Sequence, residues 1–262
     1  EFDYSARFVL SDGKRKILRY PNPTNSLSSD VYYNGQILGD IWGYKTIGIA
    51  QTQEEMNAHL VNGGTPNWGT NWGAGDVMYA NLDGKEGVNN GSNTLEDHGD
   101  LTIIGNNTPR YNFGLTLTGA WKGFDFSVFL QGVMKRDYWL DGPYFWGANG
   151  GLWQSTAFKE HMDYWRPEGD PLGANTNAYY PKPYFNTDKN QKVQSGYLQN
   201  AAYCRLKNAQ IGYTLPKIWT RKAAMESVRV YVSGDNLVTF SGISGVFDPE
   251  LLGSDWGDGK LY

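Results

Sequence analysis

Residues 111–139 carry the pattern that most constrains the fold, because strict apolar–polar alternation runs on both sides of a tight turn. Large apolar side chains alternate with small or polar ones over Tyr111–Trp121, a period of two residues. After a turn at Lys122 and Gly123 the alternation resumes, with Phe129 as its exception. The pattern predicts two antiparallel β-strands, each with one apolar and one polar face.

Three other segments alternate in the same way, near the start of the chain and in its last quarter. The predicted strands are Phe2–Leu10, Tyr111–Trp121, Phe124–Lys135, Tyr203–Leu215 and Val228–Phe240. Soluble sheets also alternate, because their apolar face packs on a second sheet. A soluble secreted β-sandwich, either a carbohydrate-binding module or a glycosidase domain, is therefore the alternative to a membrane protein.

Strand length and end chemistry favour the membrane. Tyr111 and Trp121 lie on one face and are separated by roughly 25 Å along the membrane normal, for a tilted strand. That is the height of the apolar band of an outer-membrane barrel, and aromatic residues at both ends match its girdles. We therefore predict an outward apolar set and an inward polar set. The outward set is Phe113, Leu115, Leu117, Phe126, Val128 and Leu130, and the inward set is Asn112, Thr116, Asp125 and Gln131.

Composition agrees with a β-rich chain and excludes some classes. The 262 residues include 33 Gly, 18 Tyr, 10 Trp and 11 Phe, with a net charge of −4. We expect no nucleic-acid partner, because no basic patch is present. The mean hydropathy is −0.55, and no apolar run approaches the ~20 residues of a spanning helix. A helical membrane bundle is thereby excluded.

The ends of the chain and its cysteine give three expectations. Cys204 has no partner for a disulfide and is interpreted as a small residue within a strand. Glu1 opens the chain beside a predicted strand without a signal peptide, and Tyr262 ends it in a predicted loop. We therefore expect residues 1–262 to be the C-terminal portion of a longer barrel protein, without its final strand.

The predicted strands are joined by connections of very unequal length. Residues 122–123 and 215–227 are short, whereas residues 11–110 and 137–199 are long. Short turns of outer-membrane barrels face the periplasm and long loops face outside. The two long segments are therefore predicted to be extracellular loops. They contain two predicted short helices, one capped by Thr52 and one that ends near Pro167.

Four segments carry a family resemblance. They are "GDIWGYKTIGIAQTQEE", "GDLTIIGNNTPRYNFGLTLTGAWKGFDFSVFLQG", "AAYCRLKNAQIGYTLPK" and "SVRVYVSGDNLVTFSGISGVFDPE". In this order they resemble the C-terminal part of the SusC/RagA family of TonB-dependent outer-membrane transporters of Bacteroidetes. The resemblance extends over nearly the whole chain, which makes it more specific than any single motif.

The resemblance implies a fold and a function. The fold is all-β, with antiparallel transmembrane strands of a partial barrel and long extracellular loops that contain short helices. The function is import across the Gram-negative outer membrane, with energy delivered by the TonB complex and a SusD-like surface lipoprotein as a lid. The ligand is an oligosaccharide or a peptide. No reaction is catalysed and no cofactor is required.

The stretch Asn81–Asp97 occupies the place of a short Asp/Asn/Gly-rich, calcium-loop-like segment in that family. Calcium needs six or more oxygen ligands at alternating positions around a Gly turn. Asn81, Asp83 and Gly84 fit, but Lys85 interrupts the series. The prediction is a metal-free turn, with a calcium ion near Asn81 and Asp83 as the alternative.

An aromatic run follows the predicted strand that ends at Lys135. The candidate contacts for substrate or partner lipoprotein are Trp139, Tyr144, Phe145, Trp146 and Trp153. Flat rings offer contact area to apolar sugar faces or protein surfaces. The alternative is that these rings pack the loop against itself. No catalytic residue is predicted, because the carboxylates and the three histidines show no active-site spacing.

Overall fold

The structure, a computed structural model, describes residues 2–147 and 157–253 of the 262-residue chain. Its strands are β1 (Phe2–Ser11), β2 (Asp40–Gly43), β3 (Thr46–Ile49), β4 (Val77–Tyr79), β5 (Thr102–Asn106), β6 (Arg110–Trp121), β7 (Phe124–Lys135), β8 (Asp137–Tyr138), β9 (Gln199–Asn200), β10 (Tyr203–Thr214) and β11 (Arg229–Ser241). Its helices are α1 (Gln53–Gly63), α2 (Pro143–Trp146) and α3 (Lys217–Thr220), with 3-10 turns at Lys159–Met162 and Arg221–Ala223. None of these helices has the length and apolarity needed to cross a membrane.

The chain divides into two compact units. The first, here called the sheet unit, contains residues 1–14, 109–136 and 200–243. The second, here called the loop unit, contains residues 15–108, 137–199 and 244–262. The two predicted long loops supply most of the loop unit. Their extracellular location stays a prediction.

The sheet unit is a five-stranded antiparallel sheet with the order β1–β6–β7–β10–β11. All five strands lie within one residue of their predicted bounds. β6 and β7 are joined by a two-residue turn, since Trp121 pairs with Phe124. Lys122 and Gly123 both have positive φ, 48° and 89°, as a type I′ hairpin turn requires.

The register gathers the large apolar side chains on one face. Leu115 lies between Phe8 of β1 and Leu130 of β7, and Ile211 lies between Phe126 and Val232. The predicted outward and inward sets lie on opposite faces of this sheet. The apolar face is open, with Phe8 56%, Ile211 59% and Val232 72% exposed. A β-sandwich would bury such a face, so the soluble alternative is disfavoured.

Phe129, the exception in the alternation, lies on the polar face. A Cβ added to Gly114 of the neighbouring strand would lie 3.4 Å from the Phe129 ring. The ring therefore covers the backbone that Gly114 leaves bare, a pairing that stabilises glycine in sheets. A second deviation is Lys207, an extra residue that shifts the register of β10 against β7. This bulge brings Leu206 and Ala209 onto the same apolar face.

The loop unit has a conventional buried core, centred on Tyr79. This ring is fully buried and contacts Tyr44, Trp68 and Trp72, with centroids 5.9, 5.3 and 6.1 Å away. Edge-on contacts of this kind are typical of packed aromatic clusters. The rings of Trp68 and Trp72 therefore pack against the core of the loop unit.

The first predicted helix is confirmed and the second is shorter than predicted. Thr52 caps α1 by accepting a hydrogen bond from the Glu55 amide at 3.1 Å. The second segment forms only the 3-10 turn Lys159–Met162 and ends before Pro167. The reason is that the next residues are extended, since the Trp165 amide donates to the Tyr180 carbonyl at 2.9 Å.

The loop unit contains a buried ion pair. Lys189 Nζ lies 2.8 Å from Asp76 Oδ2, with side-chain exposures of 3% and 0%. The ammonium also donates to the carbonyl of Asn71 at 2.9 Å and lies 4.2 Å from the centroid of the Tyr184 ring. Asn190 donates to the other Asp76 oxygen at 2.9 Å. Both charges therefore have partners, as buried ions require.

Candidate functional site

Four of the five predicted contact residues lie in the described part of the chain: Trp139, Tyr144, Phe145 and Trp146. Trp153 lies outside the described residues. α2 begins at Pro143 and ends at Trp146, and the capping residue Gly147 has a φ of 68°, which favours glycine. This single turn separates the rings: Phe145 is 0% exposed and Trp146 6%, whereas Tyr144 is 39% exposed.

The inward rings form an aromatic cluster within the loop unit. Trp146 lies 4.8 Å from Tyr197 and 5.9 Å from Trp139, measured between ring centroids. Phe145 lies 5.7 Å from Tyr180 and 6.5 Å from Phe247. Phe145 is therefore a buried packing residue of the cluster, with no surface exposed to a ligand. Contact of the other rings with a ligand or partner stays a prediction.

A cavity of about 150 Å³ lies beside Trp146. Its lining includes the rings of Tyr164, Tyr180, Tyr184 and His161, together with polar side chains such as those of Lys182 and Asn190. A cavity of this size holds one ring the size of benzene. The indole Nε1 of Trp146 is buried and has no hydrogen-bond acceptor in the described structure. The site thus combines aromatic rings with polar side chains, whereas the Nε1 atom itself is buried.

His161 links the 3-10 turn to α2. Its Nδ1 accepts from the Phe158 amide at 2.9 Å, so its Nε2 carries the proton and donates toward the carbonyls of Tyr144 and Phe145 at 3.2 and 3.1 Å. The neutral imidazole therefore positions the turn that bears Trp146. Sequence reasoning missed this role, because no spacing signal connects residues so far apart in the chain.

The tyrosines of the cluster stay neutral at physiological pH. Burial is the main cause that raises the pKa of Tyr180 and of Tyr197 above the ordinary value. The Tyr197 hydroxyl donates to the Tyr179 carbonyl at 2.8 Å, and Gln199 Nε2 donates to the Tyr179 hydroxyl at 2.9 Å. The cluster is thus an uncharged, hydrogen-bonded surface.

The calcium-loop-like segment is organised by Asp100, which is fully buried. Its carboxylate accepts from the amides of Leu82, Asp83 and Asn89. Lys85 Nζ lies 3.4 Å from Asp83 Oδ2. In residues 2–147 and 157–253 no three His, Cys, Asp or Glu side chains come together as a metal site. The arrangement favours the metal-free turn, which stays a prediction.

Comparisons with known proteins were made at three levels. No family model matches the chain. In sequence the chain is 28% identical to TonB-dependent receptor P3 of Formosa agariphila over 263 residues, 95% of the chain and 23% of that receptor. It is 25% identical to TonB-dependent receptor P39 of the same organism, again over 95% of the chain and 26% of the receptor. The chain thus spans about a quarter of the length of these curated relatives.

Among solved structures, the chain is similar to the RagAB peptide transporter, with a TM-score of 0.59 and 19% sequence identity. The match covers 99% of the present chain and 25% of the transporter chain. It is also similar to the RagAB peptide importer in its closed-closed state, with a TM-score of 0.58 and 18% identity. At this identity the likeness shows the fold. The predicted strands of a transmembrane barrel are confirmed.

The predicted resemblance to TonB-dependent transporters of the SusC/RagA type is confirmed by the sequence and structure comparisons together. The predicted location in the Gram-negative outer membrane is confirmed with it. The relatives are named receptors and the structural neighbours transporters, and none of them is named an enzyme.

Proposed function

We propose that this chain, as part of a SusC/RagA-type transporter, serves the TonB-dependent import of a nutrient across the outer membrane. The observation that carries the proposal is the pairing of an open apolar sheet with a separately folded aromatic loop unit. The sheet supplies barrel strands, whose polar face lines the lumen. The loop unit supplies binding surface on the extracellular side. We propose no catalytic role and no cofactor.

The proposed partners are a SusD-like surface lipoprotein, the TonB complex and an oligosaccharide or oligopeptide ligand. The cavity beside Trp146 favours the oligopeptide. A sugar ring carries several hydroxyls that each need a partner, and burial without one costs about 1–3 kcal/mol per group. An apolar peptide side chain fits against the aromatic rings of the wall.

Two variants of the full-length transporter test the aromatic loop. The triple variant Trp139→Ala, Trp146→Ala, Trp153→Ala removes the predicted contact surface. Trp146→Phe keeps one aromatic ring and removes the second ring of the indole together with Nε1. We expect both variants to lower ligand uptake or lipoprotein association, the triple variant more strongly than the single variant. Uptake is measured separately with oligopeptides and oligosaccharides.

Trp72→Phe is the matched control, because Trp72 is buried to a similar degree, 7% against 6% exposed, and lies elsewhere in the loop unit. Barrel assembly, monitored by heat-modifiable electrophoretic mobility, should be unchanged in all variants. If the triple variant assembles, imports and binds the lipoprotein at wild-type levels, the aromatic loop is only self-packed. Uptake of oligosaccharides alone would contradict the preference for peptides.

A further inference from the structure

The connection between β10 and β11 leaves two large apolar side chains in the open. α3 and the 3-10 turn that follows it occupy this connection, residues 215–227. Ile218 is 70% and Trp219 58% exposed, whereas the adjacent Thr220 is 3% exposed. One side of the helical turn therefore packs against the protein and the other carries an exposed apolar pair.

Backbone hydrogen bonds hold this connection in place. The Leu215 amide donates to the Val228 carbonyl at 2.9 Å and extends the β10–β11 ladder. The Met225 amide donates to the Thr220 carbonyl at 3.1 Å, and the Trp219 amide donates to Pro216 at 2.9 Å. The exposure of Ile218 and Trp219 is thus a property of a hydrogen-bonded turn.

Cations surround the exposed pair. Lys217, Arg221 and Lys222 are all exposed, and Glu226 is the one acidic residue in 215–227. Basic side chains near a membrane surface are attracted to anionic headgroups. Ile and Trp partition into the boundary between headgroups and acyl chains. The composition of this turn therefore matches a lipid interface and carries the opposite charge to lipid phosphates.

The same end of the sheet carries a band of aromatic rings. The Thr214 amide donates to the Gly123 carbonyl at 2.8 Å, which places the β6–β7 turn beside the connection. The rings of Phe124 and Tyr213 are in tilted contact with centroids 4.5 Å apart, and Lys122 Nζ lies 5.0 Å from the centroid of the Trp121 ring. The connection therefore continues an aromatic band at the edge of the lipid-facing sheet.

We propose that residues 215–227 form an interfacial anchor. Ile218 and Trp219 lie among the headgroups of the leaflet that the short connections meet, and Lys217, Arg221 and Lys222 contact lipid phosphates. In the predicted orientation this is the periplasmic, phospholipid leaflet. The anchor fixes the depth and rotation of the β10–β11 hairpin in the bilayer. The proposal rests on the proposed function only in requiring that the sheet spans the membrane.

Spin-label accessibility in the full-length transporter tests the anchor. Native cysteines, Cys204 included, are replaced by serine, and single labels are introduced by Trp219→Cys, Val232→Cys and Leu18→Cys. The protein is placed in vesicles of phosphatidylethanolamine and phosphatidylglycerol. Collisions with oxygen and with a water-soluble nickel complex report depth. We expect position 219 at headgroup depth, position 232 deeper in lipid, and position 18, 83% exposed in the loop unit, in water.

The controls separate the anchor from the barrel. A label at 219 that meets the nickel complex as freely as position 18, while position 232 lies in lipid, overturns the anchor and leaves the barrel intact. Position 232 in water contradicts the membrane role itself. In the background Lys217→Gln, Arg221→Gln, Lys222→Gln, the label at 219 should move toward water when phosphatidylglycerol is present. An unchanged depth there overturns the phosphate contacts.

Discussion

The sheet unit and the loop unit use the same kinds of residue in opposite ways. In the sheet unit, Phe8 and Phe240 are 56% and 66% exposed on an apolar face. In the loop unit, Phe145 and Tyr79 are fully buried, and a Lys–Asp pair is buried with them. The loop unit follows the rules of folding in water, and the sheet unit does not.

This contrast shows that composition alone does not reveal whether the apolar side chains of a segment are buried in the protein or exposed on its surface. Both units are rich in aromatic residues, yet the period of the pattern differs. Where apolar residues recur strictly every second position, the structure leaves many of them exposed on one face of the sheet. Where they are scattered among Gly, Asn and Asp, as around Trp72, the chain folds back and buries them.

The largest loss of stability is expected when the buried ion pair of the loop unit is disrupted. Lys189→Met leaves Asp76 as a buried charge without its cation, which should lower the free energy of unfolding of the loop unit by about 3–5 kcal/mol. The measurement is urea-dependent proteolysis of loop-unit peptides in the full-length transporter.

The matched control is Lys192→Met, three residues further on. Lys192 pairs with Asp188 at 2.7 Å, but the side chains are 30% and 63% exposed. Loss of such a surface pair costs about 0.2–1 kcal/mol. If the two variants have equal stability, Asp76 is hydrated and the loop unit lacks the dry interior described here.

A smaller effect is expected at Asp100. Asp100→Asn replaces two carboxylate oxygens by one carbonyl oxygen, so at least one of the three amide donors loses its acceptor. The cost is about 1–3 kcal/mol in the same unfolding assay. Added calcium or a chelator should leave wild-type stability unchanged. A loss of stability on chelation would show instead that the loop holds a cation.

The strands of the sheet could be predicted from the sequence because each strand is specified by a local pattern of residues. The period of two residues sets each strand, and the residues of the β6–β7 turn set its register. The alternation already marked Phe129 as an exception on the polar face, but its contact with Gly114 was not predicted, because Gly114 lies on another strand.

The interior of the loop unit was not predictable in the same way. Lys189 and Asp76 are 113 residues apart, and no periodic pattern links them. The role of His161 depends on carbonyls of a turn sixteen residues earlier. For the predicted contact residues, the sequence located the aromatic loop but did not separate the buried Phe145 from the exposed Tyr144.

We predict that the apolar face of the sheet contacts lipid. Substitutions at two neighbouring residues of β1, Phe8 and Val9, test this prediction. Phe8 lies on the apolar face and Val9 on the polar face, with similar exposures of 56% and 50%. In the full-length transporter in lipid vesicles, the free energy of unfolding is measured for Phe8→Arg and Val9→Arg. We predict that Phe8→Arg costs about 2–4 kcal/mol, the cost of an arginine facing mid-bilayer, and that Val9→Arg costs far less. If the two variants lower the free energy of unfolding equally, the apolar face does not contact lipid.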